Sequence, residues 1–263
     1  MKRTRKWFII ALFILVLSKG IRTQTDGVSF AKTVRCMEAR EEWETASPVA
    51  IDPMRYTYLG SGVQFYAFLS EDGTTVLKLF KHYHIGPPTP LLKKLPFTAS
   101  VVEAREKRME SIFKSALFSA SHCRKETGVV ALQINPSKKL LPILEVKDKI
   151  GVRHHVDLNR TPFVLQRHAD PFFETLETLS PSEIAKAISQ LVETLKTFDS
   201  SDHLLSTNYG FCEKVPCAID IGSLKKRVHP ATKRDLYFLT LQLRQWLEQR
   251  YPQQIPTLDE AIG

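Results

Sequence analysis

The chain has 263 residues, of which 43% are hydrophobic and 25% charged, enough to bury a full core and unlike a disordered or low-complexity sequence. Its formal charge of +9 loses force once located: Lys2, Arg3, Arg5, Lys6, Lys19 and Arg22 face no acid before position 23, and residues 23–263 carry only +3. A near-neutral body excludes a dedicated nucleic-acid binder, which needs a concentrated basic face. Four cysteines, at 36, 123, 212 and 217, are too few for a disulfide-built fold.

Residues 1–22 have the layout of an export signal: a basic start, the apolar run Trp7 to Leu17, then Ser18, Lys19 and Gly20. At about 1.5 Å per residue the run covers only about half of a ~30 Å hydrocarbon core. Small residues at Ser18 and Gly20 permit cleavage before Ile21, whereas Lys19 and Arg22 disfavour it. A cleaved signal and an uncleaved anchor are therefore both expected readings, and the body is membrane-associated or exported. Lys and Arg flank the run on both sides, so charge does not set its orientation.

Residues 23–52 lack a clear period and read as a linker with one short helix. Three β-rich runs follow, Tyr56–Leu59, Gln64–Leu69 and Thr75–Phe80. Gly60-Ser61-Gly62 separates the first two, and Asp72-Gly73, a strong short-hairpin signal, the last two. After a loop with Pro87, Pro88, Pro90 and Pro96, Val102–His122 predicts a long helix, with Met109, Ile112, Phe113, Ala116, Leu117 and Ala120 at helical spacing. Leu140–Val146 and Phe163–Gln166 predict two more strands, so the first half reads as five antiparallel strands and one helix. In the second half Ser180-Pro181-Ser182-Glu183 is a capping box, opening a helix striped by Ile184, Ile188, Leu191, Leu195 and Phe198. Tyr209–Phe211 and Ala218–Ile219 flank a short hairpin, and Lys233–Tyr251 is a closing helix.

Four features stand in one order: Leu59-Gly60-Ser61-Gly62, Val76-Leu77-Lys78, Asn208, and Ile219-Asp220-Ile221-Gly222. Over residues 56–250 this order resembles a divergent protein-kinase-like fold. The resemblance implies an α+β, two-lobed architecture: a five-stranded antiparallel sheet with one helix over 53–168, then a reduced helical lobe over 169–263. An apolar N-terminal segment ahead of such a body also resembles a family of membrane-anchored chlamydial proteins, a likeness that implies no activity.

Phosphoryl transfer leaves a protein mostly the work of positioning charge, and the resemblance implies who does it here. Gly60 and Gly62 would let backbone approach phosphates, Lys78 would hold them, and Glu106 on the helix would pair with Lys78, with Glu103 and Glu110 as alternatives. Asn208 and Asp220 would hold Mg²⁺ against the phosphates of ATP. Each feature also has a plain structural reading. The glycines can serve an ordinary hairpin turn, an alternating lysine usually points to solvent, a charged helix face is usually solvated, and Asn and Asp favour turns.

The sequence departs from the family's pattern in places. Phe65 stands at the third glycine, Ala67 at the following valine, and Ile221 where a phenylalanine is usual. The position five before the metal asparagine, where the family has its catalytic aspartate, is His203. Asp202 is the candidate base if the loop is one residue longer, with Asp199 next; without a base the protein would be a pseudokinase. The basic run Lys225 to Arg234 lacks the family's Ala-Pro-Glu, which removes the peptide-docking platform and makes a small-molecule or lipid hydroxyl the expected acceptor.

Cys212 and Cys217 could bridge their hairpin or bind metal, although burial as small apolar side chains is the plainer expectation. His82, His84, His154 and His155 lack the spacing of a metal motif, and no Gly-x-Ser-x-Gly elbow occurs. Two functions follow from different classes: a membrane-targeted kinase-like protein that binds Mg²⁺ and ATP, and a catalytically inactive pseudokinase acting as an interaction module with a protein partner. Export to an ATP-poor compartment would favour the second.

Overall fold

A computed structural model describes residues 13, 19–34, 37–45, 51–82, 96–137, 140–200, 202 and 204–263. The apolar run apart from Phe13, the Pro87–Pro90 loop, Cys36, His84 and His203 lie outside the described residues. Among the described residues no helix is long and apolar enough to cross a membrane.

The three β-rich runs form a meander of β1 (Tyr56–Ser61), β2 (Phe65–Ser70) and β3 (Thr75–Phe80). Asp72 and Gly73 close the β2–β3 turn: Gly73 takes a positive φ of 73°, and Asp72 Oδ1 accepts from the Thr74 amide at 3.0 Å. The long helix, α1, runs Pro96–His122 and buries the expected stripe of Met109, Ile112, Phe113, Ala116 and Ala120. A short turn of helix, α2 (Arg124–Thr127), leads through Gly128 into β4 (Val129–Gln133). A hairpin of β5 (Ile143–Lys147) and β6 (Arg153–Asp157) precedes β7 (Phe163–Arg167).

The sheet therefore has seven strands, in the order β4-β7-β3-β2-β1-β5-β6, and corrects the expectation of five antiparallel ones. β4 is so buried that it lacks the alternation that marks a half-exposed strand, and β6 is rich in charge and histidine. The β5–β6 hairpin adds to the free edge of β1, with β5 running parallel to it through Tyr56↔Val146 and Thr57↔Lys147. Every other neighbouring pair in this sheet is antiparallel.

The second half is mainly helical. β8 (Asp170–Pro171) and α3 (Phe172–Thr178) lead to α4 (Pro181–Thr197), whose N-terminus carries the predicted capping box between Ser180 and Glu183. β9 (Phe198–Asp199) and α5 (Leu205–Asn208) precede the hairpin β10 (Tyr209–Cys212) and β11 (Val215–Ala218). β12 (Lys225–Lys226) pairs with β9, and the closing helix is two, α6 (Lys233–Leu239) and α7 (Leu241–Arg250), broken at Thr240. A last helix, α8 (Ile255–Ile262), packs on α4.

Packing does not follow a division into two lobes. One apolar cluster runs without a break from Phe65, Phe80 and Val164 on the sheet, through α1, to Leu191, Leu247 and Leu258 in the helical half. The other sheet face forms a second cluster around Tyr66, Phe68, Leu77, Leu79 and Val146. The 23–52 stretch contributes to both: Val28 and Phe30 cover the outer cluster, and Trp43 is buried against Phe113.

Candidate functional site

β3 lies between β2 and β7, and apolar clusters pack on both of its faces. Alternation along the strand sends Phe80 and Lys78 to the face shared with α1, and Leu77 and Leu79 to the outer face. Lys78 Nζ donates a hydrogen bond to the carbonyl of Ile219, and the carboxylate of Asp220 acts on it electrostatically. Burial outweighs that attraction and pushes the Lys78 ammonium down to a pKa of about 8. The solvent-facing reading of Lys78 is thereby excluded.

Asp220 is brought to this place by the β10–β11 hairpin. Tyr209 pairs with Ala218, so the next position outward sets Asn208 opposite Ile219, whose amide donates to the Asn208 carbonyl at 2.8 Å. Asn208 and Asp220 thus stand at matching ends of adjacent strands. Asp220 Oδ1 accepts from the Gly222 amide at 3.1 Å, which shapes the turn after it. Asn208 is buried, and its Nδ2 has no hydrogen-bond partner. Buried amides are ordinarily satisfied, so this group marks a place where the protein's own polar complement is incomplete.

Two oxygen-bearing side chains, one carboxylate and one carboxamide, suit Mg²⁺, which keeps several waters and takes its remaining ligands from phosphates. They do not suit a metal held by protein alone, and among the described residues no group of three or more His, Cys, Asp or Glu could hold one. Over the glycine turn the fit to a ligand is also steric. A Cβ added at Gly60 or Gly62 would meet nothing within 4 Å, so open space lies over both. Leu59 and Val63 beside them are apolar and exposed.

Other expected residues stay apart. Among the described residues no ion pair joins Lys78 to Glu106, and Glu110 is taken by Arg40 at 2.6 Å. Asp202 lies in an exposed turn, where its Oδ1 accepts from the Leu204 amide at 3.2 Å. Asp199 pairs with Arg227 at 2.7 Å. Phe65 is buried and stacks near Phe80, so it serves the core rather than crowding the turn. Cys212 and Cys217 form a disulfide, which corrects the expectation of free buried thiols; Cys123 alone of the described cysteines is free.

Three residues of the site carried no signal that was read. Gln64 Nε2 donates to the Gly222 carbonyl at 3.2 Å, across 158 residues of sequence. Ser115 Oγ bridges the carbonyls of Ile221 and Leu224 at 2.6 and 2.8 Å, tying α1 to the segment after Asp220. A small hydroxyl on the buried face of a helix was its only mark. Lys81 donates to Ser61 Oγ at 2.6 Å and to the Gly62 carbonyl, holding the glycine turn from the outer face.

No family model matches the chain, and no curated protein does. Among solved structures, the complex of Rv3197 with erythromycin from Mycobacterium tuberculosis is similar at 14% identity and a TM-score of 0.32. The match covers 77% of this chain and 53% of that one, so this chain spans about half of its length. The likeness is weak and at the level of fold.

Proposed function

We propose that the protein is a kinase-like nucleotide binder that takes Mg²⁺ and ATP between the glycine turn and the Asn208–Asp220 hairpin. The observation that carries this reading is the meeting, across 141 residues of sequence, of a partly buried, depressed lysine on β3 with the hairpin whose ends carry Asn208 and the Asp220 carboxylate. The sheet supports it in part: β4-β7-β3-β2-β1 are five neighbouring antiparallel strands with α1 after the third, although the fourth in sequence is β4 and not the expected Leu140–Val146 strand, which joins β1 in parallel as β5. In this reading Lys78 leaves its backbone acceptor for the α and β phosphates, and the glycines admit the phosphate chain. Mg²⁺ would neutralise charge on the phosphates, held by Asp220 and Asn208. Asp202 would accept the proton of a small-molecule or lipid hydroxyl as that oxygen takes the γ-phosphoryl group and ADP leaves.

The competing reading is a pseudokinase at a membrane with a protein partner. Two observations favour it: Asp202 spends one carboxylate oxygen on its own turn, and the Cys212–Cys217 bridge fits an oxidising compartment, where ATP is scarce. Membrane association through residues 1–22 belongs to both readings, and nucleic acid to neither.

Thermal-shift titration of the full chain with Mg²⁺ and ATP tests the site. Binding is expected, with Asp220→Asn abolishing its Mg²⁺ dependence, since an amide offers a neutral oxygen where the ion takes a charged one. Absence of any nucleotide-dependent shift would overturn the reading. Asp202→Asn is expected to keep binding and lower transfer by roughly 10²-fold. Binding without turnover in the wild type would leave the pseudokinase.

A further inference from the structure

Gln64 sits at the tip of the turn between β1 and β2, and its carboxamide crosses to the segment that follows Asp220. Besides the bond from Nε2 to the Gly222 carbonyl, the side chain lies flat on the Cα of Gly222: a Cβ there would fall 1.5 Å from Oε1, 2.3 Å from Cδ and 2.9 Å from Nε2. Any residue larger than glycine at 222 would therefore evict it. The opposite end of the amide, Oε1, is buried with no hydrogen-bond partner. A buried carbonyl without a donor loses the hydration it has in water, so the docked amide gains one hydrogen bond and forfeits the other. The contact is thus specific in shape and weak in energy, as a part that must release would be.

What the contact does follows from where it lies. It joins the two elements between which a phosphate chain would have to pass, the glycine turn on one side and Asp220-Ile221-Gly222 on the other. Lys78, bonded to the Ile219 carbonyl, and Ser115, bonded to those of Ile221 and Leu224, hold the same segment from β3 and α1. Gln64 is the member of this set that comes from the glycine turn, next to Gly62 and the exposed Val63.

We infer that Gln64 is a latch that closes the proposed nucleotide site, so that the closed form described here must release it before Mg²⁺ and ATP can enter. This rests on the nucleotide-binding reading and adds its regulation: a phosphate chain and the Gln64 carboxamide compete for the face of Gly222. Affinity is reduced by the fraction of molecules in the closed form, and removal of the latch restores it.

The test is isothermal titration of Mg²⁺ with ATP into the full chain and into Gln64→Ala, together with amide hydrogen exchange over residues 62–66 and 219–224 without nucleotide. The latch predicts about fivefold or greater tightening in Gln64→Ala and faster exchange in both segments. Gly222→Ala, which evicts the side chain without removing it, is expected to speed exchange in the same two segments. Equal or weaker binding by Gln64→Ala, with wild-type binding intact, overturns the latch and leaves the nucleotide site standing. If neither protein binds nucleotide, the site itself fails. Exchange then decides the contact, and unchanged rates in Gln64→Ala overturn it as a closing element.

Discussion

Lys78 on β3 and Lys81 just past its end stand three residues apart and on opposite faces, and both are pushed down to a pKa of about 8 by burial. Their surroundings differ. The ammonium of Lys81 is fully employed: it donates to Ser61 Oγ and the Gly62 carbonyl, lies 4.3 Å from the centre of the Tyr66 ring, and feels Asp26. Tyr66 in turn donates to the Gly27 carbonyl at 2.6 Å and Tyr58 to Asp26 at 2.8 Å, so the outer lysine belongs to a closed structural network. Lys78 has one backbone acceptor and a carboxylate nearby. The strand and its end thus carry a lysine that holds the fold and another with bonding capacity to spare, and only the second is suited to a ligand.

The sharpest way to break this comparison is to replace each lysine by methionine, which keeps the stem's packing. Lys78→Met is expected to weaken Mg²⁺ and ATP binding by about 1–3 kcal/mol, roughly 5- to 150-fold, with little change in the urea midpoint. If instead stability falls and binding holds, Lys78 is the structural one. Lys81→Met is expected to do the reverse, lowering unfolding free energy by about 2 kcal/mol through the orphaned acceptors on the glycine turn. Equilibrium urea unfolding measures it.

A smaller effect comes from pH. An unfolded lysine keeps its proton up to about 10.4, whereas each of these releases it in the folded chain near 8. Between those values the unfolded state binds more protons, so stability rises with pH across that window. The burial penalty is fully present below pH 8. From pH 8 to 9.5 the two lysines are expected to add stability that the double variant Lys78→Met/Lys81→Met lacks, while the Cys123 thiol, pushed up to about 12 by burial, takes stability away in both proteins. Parallel profiles of wild type and double variant would mean that neither lysine is desolvated. The smallest change expected is in Tyr66→Phe, which keeps the ring under Lys81 and loses the hydroxyl that donates to Gly27, at about 0.5–1 kcal/mol in the same unfolding measurement.

Much of this region is legible in the sequence. The β-rich runs, the Asp72-Gly73 turn, the stripe of α1, the capping box at Ser180 and the hairpin ending at Asp220 are signals within a few residues of each other. Lys78, Asn208 and Asp220 were singled out by their order, and the structure brings them together. Glu106 as the partner of Lys78 was not met, because that pairing depends on how far α1 lies from β3 at one turn of the helix. Asp202 and Asp199 could not be separated by spacing alone; the ion pair with Arg227 marks Asp199 as structural.

Residue order and composition by themselves determined the meander, the capped helix and the hairpin, because turn chemistry, capping and apolar periodicity act over a single turn or strand. Only the tertiary structure decided that β5 joins β1 in parallel, that Lys81 serves the turn while Lys78 faces the hairpin, and that Gln64 reaches Gly222. These depend on which edges and faces meet after residues up to 158 apart are brought together. Burial then decides the rest: a lysine drawn into a packed face loses much of its water, so its partners are set by whatever the distant chain places there.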